Sequence, residues 1–201
     1  MISIDLTKQR QTDNYKLLTG SIVPRPIAFV TSISETGILN AAPFSYFNVV
    51  SSDPPLVSVS VERKLGEQKH TAQNIEKQKQ FVIHIVDQDN VSKVNQASAN
   101  LLANESEVDF ANLTRVASEK VAVPGIEEAK VRLECVLNRV VDLSDQGNGC
   151  DLIIGEVVQM HVAKSVYDSG KINISELKPV SRLAGANYAT IGDIFTLVRP
   201  K

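Results

Sequence analysis

The chain has 201 residues, of which 43% are apolar, and this is enough to fill a core. Its 21 Lys and Arg against 23 Asp and Glu give a formal net charge of -2, without the basic excess that binding to a phosphate backbone requires. Nucleic acid is therefore not expected as a partner. Residues 1–10 lack a signal-peptide core and no apolar stretch matches a membrane span, which predicts a soluble cytoplasmic protein.

Three β-rich runs are predicted between residues 26 and 61, namely 27–33, 39–50 and 56–61. A turn around Gly37 and the Ser-Ser-Asp-Pro-Pro segment at 51–55 separate them. In the third run Val57, Val59 and Val61 alternate with small or polar residues, so this strand has one apolar face.

Helical spacing follows at residues 68–79, a strand pattern at 81–86, and a second helical pattern at 90–102. Residues 104–130 are only weakly periodic and are predicted as loop with short helical pieces. A short closing segment is expected between Tyr188 and Val198.

Two long strand patterns, 130–143 and 151–164, form a predicted antiparallel hairpin with a turn centred near Gln146. The first strand is expected to have one solvated face, with Arg132, Glu134 and Asn138. Cys135 and Cys150 would lie about 26 Å apart along this ladder, too far for a disulfide, and are expected as buried or half-buried thiols.

This pattern predicts a β-rich α+β fold, an antiparallel β-barrel with a few peripheral helices. No change in composition marks a boundary, so residues 1–201 are predicted to form a single domain.

The glycines form neither a dinucleotide-binding fingerprint nor a P-loop. The histidines His70, His84 and His161 have no zinc-ligand spacing, and no metal site is predicted. We expect His84 to be packed within a strand and His161 to be exposed.

Three segments suggest a ligand site. Arg25 lies between two prolines and can offer its guanidinium fork to an anion, although a solvated turn arginine has the same pattern. In residues 40–47, small side chains around Pro43 would let a flat ligand approach the backbone. The alternative is an edge strand with a bulge, which explains Pro43 but not the combination of Asn40, Ser45 and the small residues. Thr71 is a candidate N-cap, with Lys69 beside the first helical turn.

Taken together, residues 24–32, 37–47, 52–57, 69–75 and 181–188 resemble the flavin reductase-like, FMN-binding split-barrel family, in particular its flavoredoxin-type branch. The resemblance extends over about residues 15–192. One departure is His70, which stands where the family usually has an acidic residue and makes the phosphate loop more basic.

The resemblance implies a homodimer of split barrels with FMN near the subunit interface. Thr31 and Ser32 would contact the ribityl-phosphate region, and Asn40, Ala42, Phe44 and Ser45 would line the isoalloxazine. Lys69 and Thr71 would hold the phosphate, with Arg25 as a further candidate.

The leading hypothesis is an FMN-dependent oxidoreductase that accepts hydride from NADH or NADPH and passes electrons to an unknown second acceptor. The flavin carries the chemistry, so no catalytic side chain is assigned. The alternatives are an electron-transfer flavoprotein that is reduced by a protein partner, and a non-catalytic binding module on the same scaffold.

Overall fold

The computed structural model describes residues 1–102, 104–144 and 148–200. In chain order its helices and strands are α1 (Gln11–Ser21), β1 (Arg25–Pro26), β2 (Ala28–Ile33), β3 (Leu39–Phe44), β4 (Phe47–Ser52), β5 (Pro55–Glu62), α2 (His70–Gln78), β6 (Gln80–Ile85), α3 (Val91–Gln96), α4 (Glu107–Phe110), β7 (Arg115–Val116), β8 (Gly125–Ile126), β9 (Val131–Asp142), β10 (Cys150–Val162), β11 (Tyr167–Asp168), β12 (Lys171–Ile172), α5 (Ile174–Leu177), β13 (Val180–Arg182) and β14 (Tyr188–Thr190). Among these described segments, no helix combines the length and apolar character needed to cross a membrane.

Seven strands form the main sheet in the order β3-β2-β6-β9-β10-β5-β4, and every neighbouring pair is antiparallel. The two edge strands, β3 and β4, are consecutive in the chain. The Ser60 N–H donates to the Tyr46 carbonyl at 2.8 Å, and β3 also contacts β5, so the sheet curls towards closure. This is a split barrel, the predicted fold class.

Two apolar clusters cover the two faces of this sheet because successive strand residues point to opposite sides. Ala28 and Val30 of β2 pack in one cluster, together with the apolar face of β5 and one side of α2. Phe29 belongs to the other cluster, which is covered by α3, α4 and the loops around them. The predicted alternation in β5 is confirmed, since Val57, Val59 and Val61 are all buried.

One close approach inside the barrel requires glycine. A Cβ atom built on Gly155 of β10 would overlap the Phe81 ring of β6. The register between β9 and β10 also shifts between Ile154 and Gly155, as is common where a strand is bent.

The strand and helix predictions need several corrections. Helix α1 was not predicted, and the run 39–50 is broken between β3 and β4. The predicted helix 90–102 ends at Gln96, where single turns replace it. The long hairpin is confirmed by β9 and β10, but the residues at its predicted turn, Asp145, Gln146 and Gly147, lie outside the described residues.

Both cysteines are free; Cys135 is buried and Cys150 half-buried, as expected. A small sheet of the order β1-β13-β14 joins the start of the chain to its C-terminal part. In its register Arg182 pairs with both Arg25 and Tyr188.

Candidate functional site

A cavity of about 610 Å³ lies between helix α1 and the strands β4 and β5. Its walls combine apolar, aromatic and amide side chains. They are formed by Gln11, Asn14, Tyr15, Leu18, Thr19, Ile22, Pro24, Arg25, Pro26, Ser45, Tyr46, Phe47, Asn48, Ser58 and Glu62. The helix contributes residues three and four apart, which form one face of a helix.

A second cavity, of about 630 Å³, shares Gln11, Tyr46 and Glu62 with the first. Its basic side chains include the exposed Lys69, which directly precedes α2. The two cavities therefore form one cleft, with an apolar and aromatic end near α1 and a basic end near the start of α2.

The side chain of Arg25 is buried and serves as a link between chain segments. Its Nη1 donates to the carbonyls of Thr19 at 2.6 Å and Ile22 at 2.8 Å, and its Nη2 donates to that of Leu183 at 2.9 Å. The expectation of an open guanidinium fork is therefore wrong, because backbone carbonyls already occupy both Nη atoms. Arg25 still lines the first cavity.

Four elements meet in a buried polar network around Asn40. Its amide donates to both carboxylate oxygens of Glu107, at 3.0 and 2.9 Å, and its Oδ1 accepts a bond of 2.9 Å from the Thr71 hydroxyl. Ser32 donates to the same oxygen at 3.4 Å and accepts from Asn74 at 3.2 Å. The network thus holds β2, β3, α2 and α4 together.

Thr71 was predicted as the N-cap of α2, and this is wrong. The N-cap is Lys69, which makes no side-chain cap bond, and the hydroxyl of Thr71 is directed to Asn40 instead. The neighbouring strand residue Thr31 is also fully buried, and its hydroxyl donates to the Pro124 carbonyl at 2.8 Å.

The remaining predicted residues lie on or just after β3. Ser45 lines the first cavity, and Ala42 is half-buried. Phe44 is buried, and the Lys69 ammonium lies over its ring, 5.9 Å from the centroid. The structure thus brings Arg25, Ser45 and Lys69 to the cleft. The other predicted polar residues do not line it, and their side chains are buried in hydrogen bonds within the protein; they are Thr31, Ser32, Asn40 and Thr71.

The outer edge of β3 is closed by side chains from the segment at the start of α4. Glu107 accepts the Ala41 N–H at 3.1 Å, and the Ser106 hydroxyl donates to the Leu39 carbonyl at 2.5 Å. Pro43, two residues further along the same edge, has no N–H to offer. The edge position of this proline is therefore confirmed, but the expected bulge is wrong, because β2 and β3 pair without a register shift.

Two parts of the site were missed by sequence reasoning. Helix α1 lines one side of the first cavity, and the spacing of Tyr15, Leu18 and Ile22 would have indicated a helix with one apolar face. Glu107 lies in the weakly periodic segment, and no local pattern marks it as a buried carboxylate.

Tyr46 connects the two cavities. Burial raises the pKa of its phenol, as do the nearby Glu62 and Tyr15, while Arg25 acts in the opposite direction. The phenol is therefore neutral at physiological pH and can donate a hydrogen bond into the cleft.

The two strand histidines lie outside the cleft. His84 is packed within β6 as predicted: its Nδ1 donates to the Phe29 carbonyl at 2.8 Å, and its Nε2 accepts the Ile126 N–H at 2.9 Å. Burial lowers its pKa to about 4. His161 was expected to be exposed, which is wrong, because it is half-buried against Glu134, with 2.5 Å between Nε2 and Oε1.

Glu134 is fully buried, so the expected solvated face of β9 is wrong at this position. Its carboxylate accepts the N–H groups of Glu119 at 2.8 Å, Lys120 at 2.6 Å and Val121 at 3.1 Å. Burial acts to raise the pKa of Glu134, but these donors and His161 outweigh it and leave the pKa below its ordinary value.

The two ends of the cleft and its middle differ in chemical character. Its apolar end is within the size range of small-molecule sites and offers aromatic walls to a planar ring system. Its other end offers a lysine ammonium to a phosphate. Between the two ends, Glu62 and the Tyr46 phenol are polar partners of the kind that hydroxyl groups bind.

Comparisons with known proteins agree with this geometry. The family model described as a flavin reductase-like domain matches residues 19–175. The chain is 52% identical to nitrilotriacetate monooxygenase component B from Bacillus cereus, covering 98% of both chains with a TM-score of 0.96. It is 30% identical to the 2-nitrobenzoate 2-nitroreductase NbaA of Pseudomonas fluorescens, covering 99% of this chain and 96% of that one with a TM-score of 0.89.

A more distant likeness concerns the fold alone. A split-barrel flavin reductase structure from Shewanella frigidimarina is 20% identical, with a TM-score of 0.85 over 97% of this chain and 96% of that one. Because the family model matches most of its length, the chain belongs to the flavin reductase-like family of split-barrel flavoproteins. The chemistry of this family is oxidoreduction.

Proposed function

We propose that this chain is an FMN-dependent NAD(P)H oxidoreductase that acts as a homodimer and passes electrons to a second acceptor. The observation that carries the proposal is the cleft between α1 and the sheet, which changes from aromatic walls at one end to an exposed lysine at the other. The whole chain acts as one flavin-binding domain in this proposal.

In the proposed arrangement, Ser45, Tyr46 and Phe47 at the α1 end would hold the isoalloxazine. Ala42 does not line this cavity. The phosphate lies at Lys69, whose ammonium is supported by the Phe44 ring. The rigid buried network below keeps the strand and the start of α2 in fixed relative positions, so little ordering is left for the moment of binding.

A bound flavin would supply the redox chemistry, namely hydride uptake and electron transfer. The chain binds and orients it, and its aromatic walls exclude water from one end of the cleft. The neutral Tyr46 phenol donates a hydrogen bond there, and no side chain is required as a general acid or base.

The second acceptor is proposed to be a separate protein component that uses reduced flavin. The support is the similarity to a protein named component B of a monooxygenase, which is 52% identical over nearly the whole chain. Direct reduction of a nitroaromatic compound is a second candidate, favoured by the similarity to NbaA.

The proposal is tested by anaerobic absorption spectra of the desalted protein with FMN, before and after addition of NADH or NADPH. A perturbed flavin band that bleaches rapidly supports the proposal and identifies the donor. A perturbed band that stays oxidised points to an electron carrier that is reduced by a protein partner. An unperturbed spectrum would refute flavin binding. Addition of 2-nitrobenzoate to the reduced sample tests the second candidate.

A lysine variant tests the placement of the phosphate. Lys69→Ala should weaken FMN binding about tenfold, the cost of one charge-assisted contact, but leave riboflavin binding unchanged because riboflavin has no phosphate. Lys171→Ala removes an exposed lysine of β12 and serves as the matched control. Equal effects of Lys69→Ala on both flavins would contradict the placement.

A further inference from the structure

Residues 117–126, called the strap here, lie across one face of the main sheet without joining its ladder. The strap follows β7 and ends with β8, and β8 pairs only with β7. Among the described residues, no backbone-to-backbone hydrogen bond connects the strap to the main sheet. Its buried side chains, Val121, Val123 and Ile126, pack in the apolar cluster on that face together with Phe29.

Side chains of the sheet make the hydrogen bonds that hold the strap. Glu134 of β9 accepts the three successive N–H groups of residues 119–121, and Gln80 of β6 accepts the Ala122 N–H at 2.7 Å. Thr31 of β2 donates to the Pro124 carbonyl at 2.8 Å. Because the backbone of the strap depends on side chains for these contacts, it can leave the sheet without breaking a strand ladder.

His84 and Arg132 hold the other end of the strap, at β8. Nε2 of His84 accepts the Ile126 N–H at 2.9 Å, and Nη1 of Arg132 donates to the Ile126 carbonyl at 3.4 Å. The strap backbone packs closely here, since a Cβ atom built on Gly125 would lie 3.1 Å from Cδ of Arg132 and 3.4 Å from Nε2 of His84. The strap thus covers the imidazole, which is only 1% exposed.

From this arrangement we propose that the strap is a proton-operated lid. It lifts from the sheet as one unit while the main-sheet ladder stays intact, and proton uptake by His84 favours the lifted state. The strap moves as a unit because one carboxylate, that of Glu134, binds three of its N–H groups and because the Ser118 hydroxyl donates to the Val123 carbonyl at 2.6 Å. No residue of the strap lines either cavity of the cleft, so the lid operates independently of flavin.

Proton uptake opposes the closed strap for a geometric reason. A protonated Nε2 is a donor, so it would face the Ile126 N–H donor at the present distance of 2.9 Å. Lifting the strap removes this N–H and lets water reach the ring. Burial lowers the pKa of His84 to about 4, and the Arg132 cation acts in the same direction, so the closed strap favours the neutral imidazole.

The groups around the two holding points identify His84 as the responsive one. Arg132 of β9 is the charged group that faces it, while β2 offers only the carbonyl and ring of Phe29 and the strap offers its backbone. Glu134 has a pKa below its ordinary value and stays ionised between pH 7.5 and pH 5. His161 donates to Glu134, and its ring can do so in the neutral or the protonated form.

Hydrogen exchange of the full chain without flavin tests the lid. The amides held by sheet side chains should share one opening constant, larger than that of the β9–β10 ladder; they are those of Glu119, Lys120, Val121, Ala122 and Ile126. After correction for intrinsic exchange, this constant should rise about 25-fold from pH 7.5 to pH 5, because His84 has its ordinary pKa of 6.5 when the strap is lifted and about 4 when it is closed. Strap amides that exchange only together with the ladder, or an opening constant that does not depend on pH, would overturn the proposal.

Matched histidine variants assign the proton. His84→Gln should reduce the pH dependence of strap opening to less than about threefold, whereas His70→Gln changes an exposed histidine outside the strap and should keep the full effect. His161→Gln should also keep it. Equal pH dependence in the parent and His84→Gln, or its loss in His161→Gln, would refute the role of His84.

A carboxylate variant tests the lid without altering His84. Glu134→Gln should raise the opening constant of the strap at least about tenfold at both pH values, because it weakens charge-assisted bonds to three N–H groups. The pH dependence should persist, and the opening constant of the β9–β10 ladder should rise much less. An equal rise in the strap and the ladder would show that the strap opens only with the whole fold, and this would overturn the proposal.

Discussion

Replacement of His84 by glutamine should remove much of the acid sensitivity of this fold. His84 is fully buried in β6, with one ring nitrogen donating to the Phe29 carbonyl and the other accepting the Ile126 N–H. The bond from the Ile126 N–H requires the neutral ring, whereas the bond to the Phe29 carbonyl can be made by either form. Protonation would remove the acceptor and place a charge in the core, and for this reason the pKa is lowered from 6.5 to about 4.

The sign and size of the effect follow from proton uptake. Between these two pKa values the unfolded chain binds a proton that the folded chain does not, so stability falls as the pH falls through this window. From about pH 7.5 to about pH 5, the loss due to His84 is about 2 kcal/mol, with a limit of about 3 kcal/mol at lower pH.

Urea denaturation at both pH values measures this loss. His84→Gln is expected to be less stable than the parent at pH 7.5, but to lose about 2 kcal/mol less on acidification. His70→Gln changes an exposed histidine and should lose as much as the parent does. If the parent and His84→Gln lose the same free energy, the buried neutral imidazole is not the cause and the reasoning is refuted.

Three further substitutions test the packing and the walls of the cleft. Gly155→Ala should lower the free energy of unfolding by about 1–3 kcal/mol, because the Phe81 ring leaves no room for the methyl group. The control Gly20→Ala lies in an open position of α1 and should raise it by about 0.5–1 kcal/mol. Thermal or urea unfolding measures both, and equal effects would contradict this reasoning. Asp151→Asn should lower the free energy of unfolding by about 3 kcal/mol because it leaves the mostly buried Arg63 without its main partner. Asp142→Asn removes the exposed partner of the same arginine and should have a much smaller effect. Glu107→Gln should lower the free energy of unfolding by about 2 kcal/mol, because the Glu107 carboxylate accepts three hydrogen bonds from β3, and it should also weaken FMN binding. Unchanged stability would show that the buried network does not need the carboxylate.

The sequence predicted the sheet well because strand periodicity is a local property. Residues close together in the chain determine the alternation in β5 and the long β9–β10 hairpin. The packing of His84 follows from its position within an apolar strand. Helix α1 was missed although its apolar spacing is present. Most of its face is uncovered in the single chain, so the helix contributes little to the core pattern that guided the prediction.

The site was predicted less well because it depends on contacts distant in sequence. Asn40 meets Glu107 across 67 positions, and Arg25 meets Leu183 across 158. Residues that resemble ligand contacts in sequence, such as Thr31 and Thr71, direct their hydroxyls into the protein. Only the three-dimensional arrangement separates side chains that face a ligand from those that support the wall behind them.

The closure of the β3 edge has a consequence for solubility at high concentration. Strands at open sheet edges are the usual route by which folded proteins polymerise. In the main sheet, the carboxylate of Glu107, the hydroxyl of Ser106 and the missing N–H of Pro43 occupy one of the two edges. Among the described residues of the main sheet, β4 is then the edge left open, so edge-to-edge association through this sheet alone joins two molecules and leaves no second main-sheet edge for a third.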